Sequence, residues 1–205
     1  MLKRMILTVA GLVIMFAVMA GALEFSADMV TKDGGKTMNS KMNYANDRWR
    51  LDTTTAGKRS ITIVRADKKL VWMMLPEQQL YTENKMQPEM LRGMSQKTAG
   101  ETKRQKLGRE TVNGIACDKY EVTYREGLKT KKTYLWLSAD NWPVKSAATD
   151  GSWSTEFKNF KKADQPDSLF VVPAGYNKLT VPGFKMPPGT RPMSVRKDLK
   201  LPPGE

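Results

Sequence analysis

Hydrophobic and polar residues alternate along most of this chain. Leu23, Phe25, Ala27 and Met29 fall on one side and Glu24, Ser26 and Asp28 on the other, a period of two that predicts a half-buried strand. The glycine pair in Lys32-Asp33-Gly34-Gly35-Lys36 marks a turn, and Met38, Ser40, Met42 and Tyr44 carry the alternation back. Asn46-Asp47 closes the next hairpin, after which Arg48-Trp49-Arg50-Leu51-Asp52 places Trp49 and Leu51 inside. Thr53 to Arg59 reads as a connection to the strand Ser60-Ile61-Thr62-Ile63-Val64-Arg65, and Ala66 to Lys69 as a turn. Further strands are predicted over 79–83, 115–125, 129–138, 144–148 and 152–160, with turns at Glu126-Gly127, Asp140-Asn141 and Asp150-Gly151.

Two stretches break the alternation. Val71-Trp72-Met73-Met74-Leu75 and Tyr134-Leu135-Trp136-Leu137 are apolar without interruption, so both faces of each must leave water. They predict central strands with apolar material on each side. One helix is expected, beginning at Pro88, with Met86, Met90, Leu91 and Met94 near one face at spacings of three and four. Thr98 to Arg109 is polar and basic, a loop or ragged edge strand. The fold class that follows is mainly β (α+β): a strongly curved antiparallel sheet with one short helix that covers only part of it, the remainder being a candidate cavity.

The ends are different in kind. Met1 to Ala22 has a positive start, an apolar stretch from Met5 and the small-residue ending Ala20-Gly21-Ala22, the three parts of a secretory signal with cleavage expected before Leu23. An uncleaved anchor is the alternative, since the apolar stretch approaches the length that spans a bilayer. Either way the remainder is expected to be exported to the periplasm, and leucine at position 23 leaves no cysteine there to be lipidated. From Leu179 to Glu205 proline, glycine and lysine dominate, which predicts a basic, disordered tail. The domains are therefore 1–22, 23–178 and 179–205.

Composition narrows the chemistry. The chain has no histidine, which excludes His triads, imidazole metal sites and His general acid–base catalysis. Cys117 is the single cysteine, so no intrachain disulfide forms, and in an apolar-alternating strand it reads as a buried structural thiol. Ser194-Val195-Arg196-Lys197 matches a serine-x-x-lysine pattern but sits in the proline-rich tail, and Asp140, Asp150 and Glu156 form no recognisable acid pair. No enzyme activity, cofactor or metal is expected. A formal charge of +13, or +11 without Lys3 and Arg4, favours anionic partners, and lysines and arginines cluster at 97–109, 125–132 and 185–200. An anionic membrane surface and an envelope protein partner are candidates; export argues against nucleic acid.

The methionines carry the most specific signal. Ten of the fourteen lie beyond residue 22, and their flexible, polarisable side chains suit either a reshaping lining for acyl chains or a curved core. A thioether copper(I) site begun by Met38 and Met42 is a third option. Trp49, Trp72 and Trp136 sit at strand centres, whereas Trp142 and Trp153 lie near turns, where they could rest at a membrane interface. The candidate apolar lining is Trp49, Leu51, Ile61, Ile63, Trp72, Met74, Met90, Leu91, Met94 and Trp136.

The order of hairpins behind a signal segment, the hairpin Trp72…Pro76…Tyr81, the strand entry Val112-Asn113-Gly114…Cys117…Tyr120 and the late Pro173-Ala174-Gly175-Tyr176 together resemble the exported lipoprotein-carrier superfamily over roughly 23–178. That superfamily includes the periplasmic carrier of outer-membrane lipoproteins, its outer-membrane receptor and a lipoprotein-like stress sensor. The resemblance implies an unclosed β-barrel whose concave face is plugged by helices, with acyl chains bound between. A role in outer-membrane lipoprotein sorting is what it implies for this chain, with a sensor or scaffold that engages a protein through its basic surface and tail as the alternative.

Overall fold

The computed structural model describes residues 23–91 and 93–180; the expected signal segment and almost all of the expected tail lie outside them. The strands are β1 (Glu24–Asp33), β2 (Lys36–Ala45), β3 (Arg48–Thr55), β4 (Lys58–Arg65), β5 (Leu70–Leu75), β6 (Leu80–Lys85), β7 (Glu101–Val112), β8 (Ile115–Glu126), β9 (Lys129–Leu137), β10 (Pro143–Ala148), β11 (Trp153–Lys162) and β12 (Asn177–Lys178). They form one sheet of twelve strands in the order β12-β6-β5-β4-β3-β2-β1-β11-β10-β9-β8-β7. The pairings are antiparallel except that β12 runs parallel to β6. The sheet starts at β12 and ends at β7 without joining them, so the barrel is unclosed, as the resemblance implied.

Local chemistry explains the meander. Asn46 and Asp47 both take positive φ, as do Gly34 and Gly35, and such two-residue turns match the twist of the strands they join. The expected connection over Thr53 to Arg59 is instead a continuation of β3 and β4 around Ala56-Gly57, because threonine suits a pleated strand and the ladder Thr53↔Ser60 through Thr55↔Lys58 satisfies its backbone. Of the two options for the basic stretch, the ragged edge strand is found: Glu101–Val112 is an edge strand of 12 residues whose register with β8 shifts between Glu101 and Lys103 and between Lys106 and Gly108.

The expected helix at Pro88 is a correction. Pro88–Leu91 is a single 3-10 turn, closed by bonds such as Met90 N–H to the Gln87 carbonyl (2.9 Å), and Met94 N–H to the Leu91 carbonyl (2.9 Å) makes a second turn after it. Gly93 lies between them at φ +77°, a left-handed conformation that ends the first turn before a helix can propagate. The methionine spacing is that of a helix, yet two short turns deliver the same side chains to the sheet.

The two apolar stretches behave as their sequence requires. In β5, Val71 and Met73 join the main core, while Met74 and Trp72 join a second cluster on the opposite face. Leu135 and Leu137 of β9 pack with Val122, and Trp136 between them faces the other way. The main core unites Val64 and Val71 with Phe25, Val144 and Phe157, residues of strands far apart in the sheet order, which only a strongly curved sheet can bring together.

Candidate functional site

Curvature gives the sheet an inner and an outer face, and cross-strand registers assign residues to each. On the inner face Phe25 pairs with Tyr44, Tyr44 with Trp49, and Trp49 with Val64, which pairs with Val71. A second rung runs Met42, Leu51, Thr62, Met73. The plug crosses this face. Met90 and Met94 are buried in the main core with Met86 and Leu91 packed against it. The plug's start is fixed where Met86 N–H donates to the Lys69 carbonyl (2.9 Å), and its end where Arg125 N–H donates to the Gly100 carbonyl (2.9 Å). A Cβ at Gly100 would lie 2.3 Å from the Arg125 carbonyl oxygen, so only glycine permits this close approach. Between the fixed ends, Ser146 Oγ donates to the Gly93 carbonyl at a long 3.4 Å.

Six aromatic rings collect at one end of the inner face. Trp142 meets Phe25 edge-on (centroids 4.7 Å apart), Tyr44 (4.7 Å) and Phe157 (5.7 Å), while Tyr44 also touches Trp49 (5.3 Å) and Phe25 touches Phe160 (5.2 Å). Trp142 therefore belongs to the core, not to a membrane interface. Its place beside a turn misleads, because the β9–β10 turn folds the indole back under β1. Burial and the nearby Asp47 carboxylate raise the Tyr44 phenol above its ordinary pKa, and its hydroxyl donates to Asp47 (3.3 Å). The indole N–H groups of Trp49 and Trp142 are buried without a hydrogen-bond partner.

The outer face is covered differently. On it Arg50 pairs with Ile63 and Ile63 with Trp72, while Asp52 pairs with Ile61 and Ile61 with Met74. The strap after β11 lies on these residues, with Phe170 of the 3-10 turn Asp167–Phe170 fully buried among Ala45, Ile61, Ile63 and Met74. Three arginines hold it. Arg65 donates to the Phe170 carbonyl (3.0 Å), Arg50 to the Leu169 carbonyl (3.1 Å) and Arg48 to the Asp167 carboxylate (2.6 Å). Arg48 also stacks over the Phe170 ring (4.7 Å), and β12 closes the strap onto β6 with Asn177 N–H donating to the Gln79 carbonyl (2.8 Å).

The expected lining thus divides. Trp49, Leu51, Met90 and Met94 meet on the inner face, with Leu91 against them. Ile61, Ile63, Trp72 and Met74 are on the outer face under the strap. Trp136 joins the main cluster from the β7–β8 end, with Lys119 and Lys145 over its ring (4.9 and 5.3 Å) and its indole N–H donating to Glu110 (2.7 Å). Missed by the sequence reading were Phe25, Tyr44, Trp142 and Phe157 as one cluster, and the three strap arginines. The alternation marked each ring as inward but not which rings meet, since that depends on curvature.

The remaining groups have structural partners. Cys117 is buried, burial raises its thiol pKa, and its S–H donates to the Ile115 carbonyl (3.3 Å). Met38 and Met42 both pack into the main core. Among the described residues no three Cys, Asp or Glu groups are placed to hold a metal. A hollow of about 620 Å³ lies over the bulge between β1 and β11, lined largely by the polar Ser26, Asp28, Lys41, Asn43, Asn159 and Lys161. Hydrogen bonds from Lys41 and Asn159 hold the Asp28 carboxyl below its ordinary pKa, and Ala27, Met42 and Phe160 complete the lining.

Comparison with known proteins places this architecture. Residues 20–142 match the family model described as a domain of unknown function, DUF4412, and the chain belongs to that family. No curated protein sequence matches it. Among solved structures it is similar to an uncharacterised conserved protein from Thermus thermophilus (12% identity, 77% of this chain and 90% of that one, TM-score 0.52). It is also similar to MucB (19% identity, 74% of this chain, TM-score 0.50), of whose length it spans 58%. The Mycobacterium tuberculosis lipoprotein LppX aligns over 71% of this chain and 88% of its own, at 16% identity and a TM-score of 0.43. At such identities the likeness to the first two shows a common fold.

Proposed function

We propose that this protein is an exported, non-enzymatic carrier that holds the acyl chains of a lipid or lipoprotein between its curved sheet and its methionine plug, and that it works in the bacterial envelope, including in outer-membrane lipoprotein sorting. One observation carries the reading. The inner face is covered by Met86, Met90, Leu91 and Met94 on two short turns, fixed before them at Met86 and after them where Arg104 donates to the Gln96 carbonyl (2.8 Å), with the long Ser146 bond at the turns themselves. Such a cover can be exchanged for other apolar material at little cost in backbone hydrogen bonds, and methionine adapts to ligands of varied outline. Hydrocarbon chains would take the place of the plug side chains against Leu51, Met42, Met73 and Val71.

The test is native mass spectrometry of the purified mature chain offered diacyl phospholipid or a synthetic acylated peptide. One lipid per protein is the expected result, with Met73→Glu on the sheet weakening it about tenfold or more, since an unpaired charge then faces the bound chains. Protein that arrives empty and takes up neither probe would overturn the reading. A second reading, docking of a protein partner, is favoured by β7: it ends the sheet, so its outer backbone edge is available to an added strand, and Lys103, Lys106 and Arg109 give it a basic rim.

A further inference from the structure

The two unpaired indole donors say more about the ligand than the apolar lining does. Trp49 and Trp142 reach the interior from different parts of the sheet and both rest against the Tyr44 ring, which makes them members of one cluster. Trp49 is 4% exposed and Trp142 7%, and neither indole nitrogen meets an acceptor. The Tyr44 hydroxyl turns away to the Asn46-Asp47 turn, donating to Asp47 (3.3 Å). The contrast with Trp72 and Trp136 is direct: those indoles donate to Glu83 (2.9 Å) and Glu110 (2.7 Å). Buried donors are almost always satisfied in native proteins, and leaving one unmade is costly.

A hydrocarbon chain alone would leave both donors as they are. A ligand that brings carbonyl oxygens to the depth of its first methylenes would satisfy them, and an ester-linked acyl lipid has that chemistry: two ester carbonyls at the junction between polar head and chains. Resting on the acyl-binding reading above, we infer that the Trp49–Tyr44–Trp142 cluster is an ester-recognition site, the two indole N–H groups donating to the ester carbonyls of a diacyl lipid while its chains run under the plug. The cluster's position agrees. It lies at one end of the inner face, by the Asn46-Asp47 turn, the natural level for a junction whose polar head remains in water.

The experiment compares ester-linked diacyl phosphatidylglycerol with its ether-linked dialkyl counterpart of the same chain length, each displacing a fluorescent fatty acid from the full chain. The two lipids have the same chains and the same headgroup, so only the carbonyls differ. The wild-type protein is expected to bind the ester lipid about tenfold more tightly, as two neutral hydrogen bonds allow. Trp49→Phe and Trp142→Phe singly should each remove part of that preference and the double variant all of it, read as the ratio of ester to ether affinity within each variant so that any lost packing cancels. Equal wild-type affinity for both lipids would overturn the ester site while leaving acyl binding intact, and that comparison needs no variant to fold. Binding of neither lipid would overturn acyl binding itself, and the ester site with it. Equal losses for both lipids in the variants would show that the indoles only pack.

Discussion

The two faces of the sheet are both covered by a short segment outside the ladder, but the covers are held by different forces. The outer strap has Phe170 fully buried, carbonyls bound by Arg50 and Arg65, and a strand pairing at its end. The inner plug has one guanidinium bond, from Arg104 to the Gln96 carbonyl beyond its methionines, while the methionine turns themselves offer apolar side chains and the long hydrogen bond from Ser146. Guanidinium bonds to carbonyls are directional and charge-assisted, so displacing the strap would break bonds that an apolar replacement cannot remake. Dispersion contacts of methionine are not directional, and an acyl chain can replace them one for one. One cover is thus part of the fold, and the other occupies a place that a ligand can take.

Substitutions should separate the two. Phe170→Ala empties the site under the strap, where the surrounding strands cannot close in, and should cost about 3–5 kcal/mol in urea unfolding. In the protein that remains folded, lipid affinity should be unaltered. Met90→Ala on the plug should cost about 2 kcal/mol, the low end for such a truncation, because a cover fixed only at its ends can settle into the gap. It should also speed lipid uptake in stopped-flow fluorescence, since less contact is lost when the plug yields. A smaller effect concerns the support of the strap. The Arg65 guanidinium beside Asp67 holds its carboxyl below the ordinary carboxylate range, through bonds of 2.9 and 2.6 Å. A carboxyl with a depressed folded pKa contributes stability that is whole above the unfolded value, about 3.9, and disappears as pH falls through the folded one. Thermal melts of wild type and Asp67→Asn should therefore differ modestly at pH 6 and converge only as pH falls below the unfolded value and through the lower folded one, whereas lipid uptake at pH 6 should be the same in both.

Much of this was legible in the sequence. Period-two alternation identified the strands, the turn pairs Gly34-Gly35 and Asn46-Asp47 identified the hairpins, and the unbroken run at Val71 to Leu75 correctly required apolar material on both faces. It could not say that Trp72 and Met74 would meet a strap from the other end of the chain. Phe170 is distant in sequence, and nothing local couples them. The plug was legible as methionines at helical spacing but not as two turns, because spacings of three and four suit both and the decision fell to Gly93. Trp142 was the largest error of placement: residues next to a turn are usually exposed, and only the curvature of the sheet carries this one into the aromatic cluster. Arg48, Arg50 and Arg65 looked like the polar half of an alternation. In sequence, an arginine facing solvent and one clamping a strap are the same.

If ligand enters by displacing the plug, a reversible lock on the plug must stop it. A Cβ at Gly93 would lie 3.4 Å from the Cβ of Ser146, close to the separation a disulfide requires. The pair Gly93→Cys and Ser146→Cys should therefore bridge on oxidation, at some cost in strain from the positive φ at Gly93, while buried Cys117 stays out of the exchange. Diacyl lipid uptake by this variant should be abolished when oxidised and restored on reduction. Equal uptake by the oxidised and reduced forms would show that the plug does not move aside, and the inner face would then not be the ligand site.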